Sequence, residues 1–138
     1  MRVVALFLLL FFSHLLTAQN ESCHLIIKVK NIKRVKGKLK LGVYNHNEAF
    51  LKDAVIWGDI TISDTTAEYV FEGLDKGTYA VSIFQDENDN GELDSNFMGI
   101  PSEPYAFSNN AKGKFGPPSF EDCKFEVSRK RKEIVISF

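Results

Sequence analysis

Proline is scarce and confined: the chain has four in 138 residues, Pro101, Pro104, Pro117 and Pro118. Outside that stretch nothing of this kind interrupts a regular backbone. Histidine is limited to His14, His24 and His46, with no spacing that would gather zinc ligands. A nucleophilic hydrolase motif of the G-x-S-x-G type is absent, and a serine or cysteine nucleophile would find only peripheral histidines as a base. Charge of one sign is missing as well, with 17 Lys and Arg against 18 Asp and Glu. That balance removes the usual reason to expect nucleic acid as a partner. The basic run Arg129 to Lys132 reads as a solvated turn.

The first 18 residues place Arg2 before an apolar run from Val3 to Phe12 and end on Leu-Leu-Thr-Ala. This is the pattern of a secretory signal peptide, cleaved after Ala18. Its apolar core is too short for a comfortable membrane span, so no stable insertion is expected after cleavage. Lipidation at Cys23 is disfavoured by Asn20, Glu21 and Ser22 before it. Residues 19–138 then form one domain, secreted or periplasmic. Export would place Cys23 and Cys123 in an oxidising compartment, where the even count predicts a disulfide. Closing so long a loop is worth about 4.7 kcal/mol in the chain-entropy account.

Apolar residues alternate with a period of two in seven short segments: His24 to Val29, Lys38 to Tyr44, Ile60 to Ser63, Glu68 to Phe71, Thr78 to Phe84, Cys123 to Val127 and Glu133 to Phe138. Turn residues separate most of them. The expectation is an all-β fold, a seven-stranded antiparallel β-sandwich of immunoglobulin-like or prealbumin-like type. Asn47 to Trp57 breaks the alternation and reads as a short helix. Trp57, the only tryptophan, reads as core rather than as an exposed stacking residue.

Residues 86–122 are neither helix nor central strand. They begin with an acidic run broken by Gly91 and continue with aromatics, glycines, asparagines and all the prolines. Structured loops of this length usually carry function. The segment from Val70 to Gly91 resembles prealbumin-like and carboxypeptidase-regulatory-like domains. A longer stretch, GTYAVSIFQDENDNGELDSNFMGIPSEPYAFSNNAKGKFGPPSFEDCKFEV, resembles the bacterial family called domain of unknown function 2141. That resemblance implies a secreted or periplasmic single-domain β-sandwich, and it implies no biochemical role.

Asp86, Asn88 and Asn90 alternate before Gly91, and Asp94 follows. This is the opening of an EF-hand-type calcium loop, D-x-D/N-x-D/N-G. Asp86, Asn88, Asn90, the Glu92 carbonyl and Asp94 are the candidate ligands. The twelfth position holds Phe97 instead of glutamate, so a complete site needs another carboxylate: Asp122, Glu121 or Glu103. The competing reading is a plain polar turn. Tyr105, Phe107, Asn109, Asn110, Phe115 and Phe120 are candidates for holding a glycan, a peptide or a cell-surface protein, against the alternative that they pack the loop down. The expected function is a non-enzymatic binding module with a calcium-stabilised loop. A small hydrolase or enzyme accessory domain acting on glycan or peptide is the alternative.

Overall fold

The computed structural model describes residues 22–138, so the expected leader lies outside the described residues. The described chain is all-β. It contains eight strands: β1 (Cys23–Lys30), β2 (Lys38–Tyr44), β3 (Ile56–Thr61), β4 (Ala67–Leu74), β5 (Gly77–Asp86), β6 (Tyr105–Phe107), β7 (Phe125–Val127) and β8 (Arg131–Ser137). One sheet runs β4-β1-β8; the other runs β3-β2-β5-β6, with β7 also on β5. Neighbouring strands are antiparallel except β1 and β8, which are parallel. No described helix is long and apolar enough to cross a membrane.

The alternation seen in sequence sets which side of each strand is dry. Leu25, Ile27 and Val29 of β1 meet Leu39, Leu41 and Val43 of β2, together with Val81, Ile83 and Ile136, in one core between the sheets. Phe71 fills its β3 side, its ring 4.6 Å from that of Tyr69. Gly58 makes room for this pair: a Cβ there would lie 2.6 Å from Tyr69 and 3.0 Å from Phe71.

Several sequence expectations change: eight strands stand where seven were expected, and β1 and β8 run parallel where an antiparallel sandwich was expected. The helix over residues 47–57 is one turn of 3-10 helix, Asn47–Ala49. Ile56 and Trp57 belong instead to β3, whose Ile-Trp-Gly-Asp-Ile alternation outweighs the helical spacing of Ala49, Phe50, Ala54 and Val55. The segment from Cys123 does not begin as a strand: α1 (Phe120–Cys123) precedes β7, started by a capping box between Ser119 and Asp122. The cysteines are not joined in a disulfide. Cys23 packs in the core between the sheets, whereas Cys123 packs in a second apolar cluster with Tyr44, Phe50, Ala80, Phe107 and Phe120. Burial, with Asp122 adding to it, pushes the Cys123 thiol up to about 12, so it stays protonated at neutral pH.

Strand β5 changes partner along one edge. Ser82 to Phe84 pair with β6, and Gly77 to Tyr79 pair with β7. Between them, the Val81 amide donates to the Ser108 hydroxyl at 2.9 Å, and that hydroxyl donates to the Cys123 carbonyl at 2.6 Å. A side chain therefore replaces a missing strand residue. Ser108→Ala should leave these buried groups unmatched and cost roughly 1–3 kcal/mol in a urea melt; an unchanged midpoint would deny Ser108 this role. Ellman's reagent should find two thiols in the denatured chain and essentially none in the native chain. A disulfide would instead show as no thiol in either state.

Candidate functional site

The core-facing residues of β2 and β5 leave an opposite set on the outer face of the larger sheet. Strand register pairs Tyr44 with Ala80, Gly42 with Ser82, Lys40 with Phe84 and Lys38 with Asp86. Each pair begins a different local environment. The first lies under the second apolar cluster, covered by Phe50 from the 3-10 turn and by Phe120 and Cys123 from α1. The last leads into the acidic turn. Between them the face is open.

There the register carries Trp57 beside Gly42 and Phe107 beside Ser82. Two small residues flanked by two large aromatics make a trough across the sheet. A Cβ on Gly42 would stand 2.8 Å from the Tyr44 hydroxyl and 3.1 Å from the Trp57 ring. The Tyr44 and Ser82 hydroxyls are 3.2 Å apart on the floor. Burial lifts the Tyr44 phenol above its ordinary value, while the Ser82 hydrogen bond opposes the lift. Loops wall the trough into a cleft of about 650 Å³, lined by Leu51, Trp57, Phe84, Leu93, Met98, Ile100, Pro101, Tyr105, Phe107, Lys114, Phe115 and Pro117 among others. Among the described residues, no Asp, Glu, His, Cys, Asn, Gln or Arg lines it.

One wall is a small closed loop. Ser95 and Pro101 form a bridge, and the Asn96 side-chain oxygen accepts from the Met98 and Ile100 amides at 2.9 and 3.1 Å. The backbone adds Gly99 N–H to Asn96 O and Asn96 N–H to Ile100 O, both at 2.9 Å. These bonds turn apolar side chains outward: Phe97 is 98% exposed and Met98 is 68% exposed. Another part of the lining presents Phe115, whose side chain is fully exposed. Held apolar surface of this kind marks interaction sites in folded proteins.

The acidic turn sits directly behind the first wall. Asp86 is fully buried; its carboxylate accepts from the Asn90 amide at 3.1 Å and the Gly91 amide at 2.8 Å. Asp94 accepts from the Asn88 and Asn90 side-chain amides at 2.7 and 3.0 Å. Those asparagine oxygens in turn accept from the Asn90 and Glu92 backbone amides. Asp86, Asn88, Asn90 and Asp94 are thus brought together, with Glu92 at the same turn. Glu103, largely buried, bridges its two ends by accepting from Glu87 N–H at 2.8 Å and Asp94 N–H at 3.0 Å. Asp122 is engaged elsewhere: its carboxylate caps α1 through Ser119, which holds it below the ordinary carboxylate range.

The aromatic and amide candidates divide. Tyr105, Phe107 and Phe115 line the cleft. Phe120 is buried in the second apolar cluster and does not line the cleft. Asn109 takes a positive φ of 60° and donates to the Asp122 and Lys124 carbonyls at 3.0 and 2.9 Å, and Asn110 accepts from the Ser137 amide at 2.8 Å. Both asparagines satisfy backbone that lacks a strand partner. Trp57 is corrected from core to cleft, 54% exposed, because Ile56, Gly58 and Ile60 take the inward side of β3. Leu51, Met98 and Ile100 carry no periodic signal in sequence; Trp57 could have been found from the alternation around it.

Gly42→Val should crowd the trough and shift Trp57 emission while the far-ultraviolet spectrum stays β-like. Unchanged emission would mean that Trp57 does not lie over Gly42. Glu103→Ala removes a charged acceptor from two amides and should cost about 3 kcal/mol, read as a lower urea midpoint; a midpoint equal to wild type would count against the bridge.

No curated protein and no solved structure matches the chain. Residues 27–135 match the model of a family described as "Uncharacterized protein conserved in bacteria (DUF2141)", and with most of its length covered the chain belongs to that family.

Proposed function

We propose that this is an exported, non-enzymatic binding module that receives an apolar group in the cleft over Gly42 and Ser82. The observation that carries the reading is the lining: aromatic and aliphatic side chains held open by hydrogen-bonded loops, in a volume typical of small-molecule sites. Hydrolysis is the weaker reading, because the lining offers no carboxylate or imidazole to act as acid or base. A glycan is disfavoured on similar grounds, since the cleft has no carboxylate or amide side chain for ring hydroxyls. Export rests on the apolar run of residues 3–12. The two sheets closed over one core, with β1 and β8 parallel, support an immunoglobulin-like or prealbumin-like sandwich as the finer description.

Trp57 is the only tryptophan, so its emission reports on the cleft alone. Decanol, kept monomeric, should shift that emission to the blue and saturate. Phe115→Ala removes an exposed side chain that the fold does not need and should weaken binding roughly tenfold, the worth of burying part of an aromatic ring. No saturable shift with apolar compounds of this size would sink the reading.

A second reading concerns the acidic turn, for which calcium is the proposed ligand. Among the described residues no three His, Cys, Asp or Glu side chains stand close enough to hold a metal unaided. The asparagines therefore carry the reading: Asn88 and Asn90 place amide donors against Asp94, where a cation would make the same charge match. Asp86, Asn88, Asn90, the Glu92 carbonyl and Asp94 supply oxygen ligands. Calcium at millimolar concentration should raise the melting temperature relative to chelator and to magnesium, by mass action on the folded state, and Asp94→Ala should abolish the rise. Identical melts in calcium and chelator would leave the turn held by its own hydrogen bonds.

A further inference from the structure

We infer that the cleft selects an anionic amphiphile, an apolar body with a carboxylate-type head, and that Lys114 reads the head. The inference rests on the cleft being the binding site and adds the chemical class of its ligand. Among the described residues, Lys114 is the one charged residue in the lining. The nearby cation Lys40 is already matched by Asp59 at 2.7 Å, whereas no described carboxylate pairs with Lys114. It is presented by a turn with little freedom to move away. A Cβ on Gly113 would lie 1.8 Å from the Gly116 carbonyl oxygen, so the backbone crosses closely on itself and displays Lys114 and Phe115 side by side at the tip.

Charge is distributed unequally around the opening. An adjoining recess shares Tyr105, Phe107, Gly113 and Gly116 with the cleft and holds both Lys112 and the C-terminal Phe138, whose opposite charges offset, so Lys114 carries the positive charge of this side. Another wall, at Leu93, adjoins Glu92 of the acidic turn, for which no described cation is a partner. An anion is therefore favoured at the Gly113 to Pro117 side and disfavoured at the other, which orients the ligand: head at Lys114, body over Trp57. The cleft volume of about 650 Å³ suits a small molecule, so the occupant is a free, monomeric amphiphile rather than a folded partner.

The test uses the mature chain, residues 19–138, and the emission of Trp57. Decanoate, decanol and decyltrimethylammonium share a chain length and differ in charge, and each is used below its micellar concentration. Decanoate should bind about three- to fivefold more tightly than decanol, the range expected of an exposed charge pair. The advantage should shrink in high salt as screening grows, and Lys114→Met should bring the two affinities within twofold of each other. Equal binding of decanoate and decanol by the wild type would overturn the inference while leaving the cleft as an apolar binding site. A preference for decyltrimethylammonium would overturn it in favour of the acidic turn. Emission that responds only to phosphatidylglycerol vesicles would replace the free amphiphile with a membrane surface. No response to any of the compounds would remove the cleft reading itself.

Discussion

Strand β5 has one edge and three claimants to it. β6 takes Ser82 to Phe84, the Ser108 hydroxyl takes Val81, and β7 takes Gly77 to Tyr79. Because no single strand runs the length of β5, the chain must leave the sheet after Asp86, return for three residues, leave again and return once more. Those two departures are the loops that wall the cleft. The buried backbone of β5 still has to be hydrogen-bonded, which is why Ser108 is committed to Val81, while Asn109 and Asn110 do the same for the carbonyls of Asp122 and Lys124 and for the Ser137 amide. They hold the site together without forming its surface.

The cleft follows from side-chain size in one row of the sheet. Trp57, Gly42, Ser82 and Phe107 lie side by side across four strands, and the two small members leave space between the two large ones. Apolar surface is then added from outside by the loops. Phe97, Met98, Ile100 and Phe115 remain exposed even though Phe120, Phe50 and Phe107 bury one another, with ring centroids 5.8 and 6.3 Å apart in the Phe50 pairs. A chain that buries one group of aromatics so thoroughly has no general difficulty in covering the other. The exposed group is kept out by the Asn96 hydrogen bonds and by the tight Gly113 turn.

The acidic turn and the cleft are parts of one structure. Ser102 N–H donates to Asp94 O at 2.8 Å and Gln85 N–H to Pro104 O at 2.8 Å, and Glu103 between them bridges Glu87 and Asp94. Whatever steadies Asp94 therefore also steadies the wall carrying Met98 and Ile100. Lys38 contributes from the sheet side through its 2.9 Å contact with Asp89, and Arg34 through a contact of the same length with Glu87. Much of the negative charge in the turn is thus compensated locally, by cations at the edges and by amides at the centre.

The sequence by itself determined the all-β class, because alternation of apolar residues in β1, β2, β4, β5 and β8 leaves each only one way to face a core. It also located the loops that matter, since proline, glycine and an acidic run cannot continue a sheet. The tertiary structure decided what those loops do. Strand β6 was invisible as a strand because three residues carry no usable period, and without its register Phe107 cannot be placed beside Ser82. Trp57 faces the cleft because Gly58 must face Tyr69 and Phe71, a requirement set by another sheet. Asn109, Asn110 and Asp122 have the right chemistry for a ligand but are engaged by backbone and cap partners distant in sequence or supplied by the local fold. The same holds for the cysteines: parity and compartment argue for a bridge, but the packing puts them in different apolar clusters. Composition and period report what a segment can do alone, whereas a cleft is made by side chains that meet only after the strands have paired.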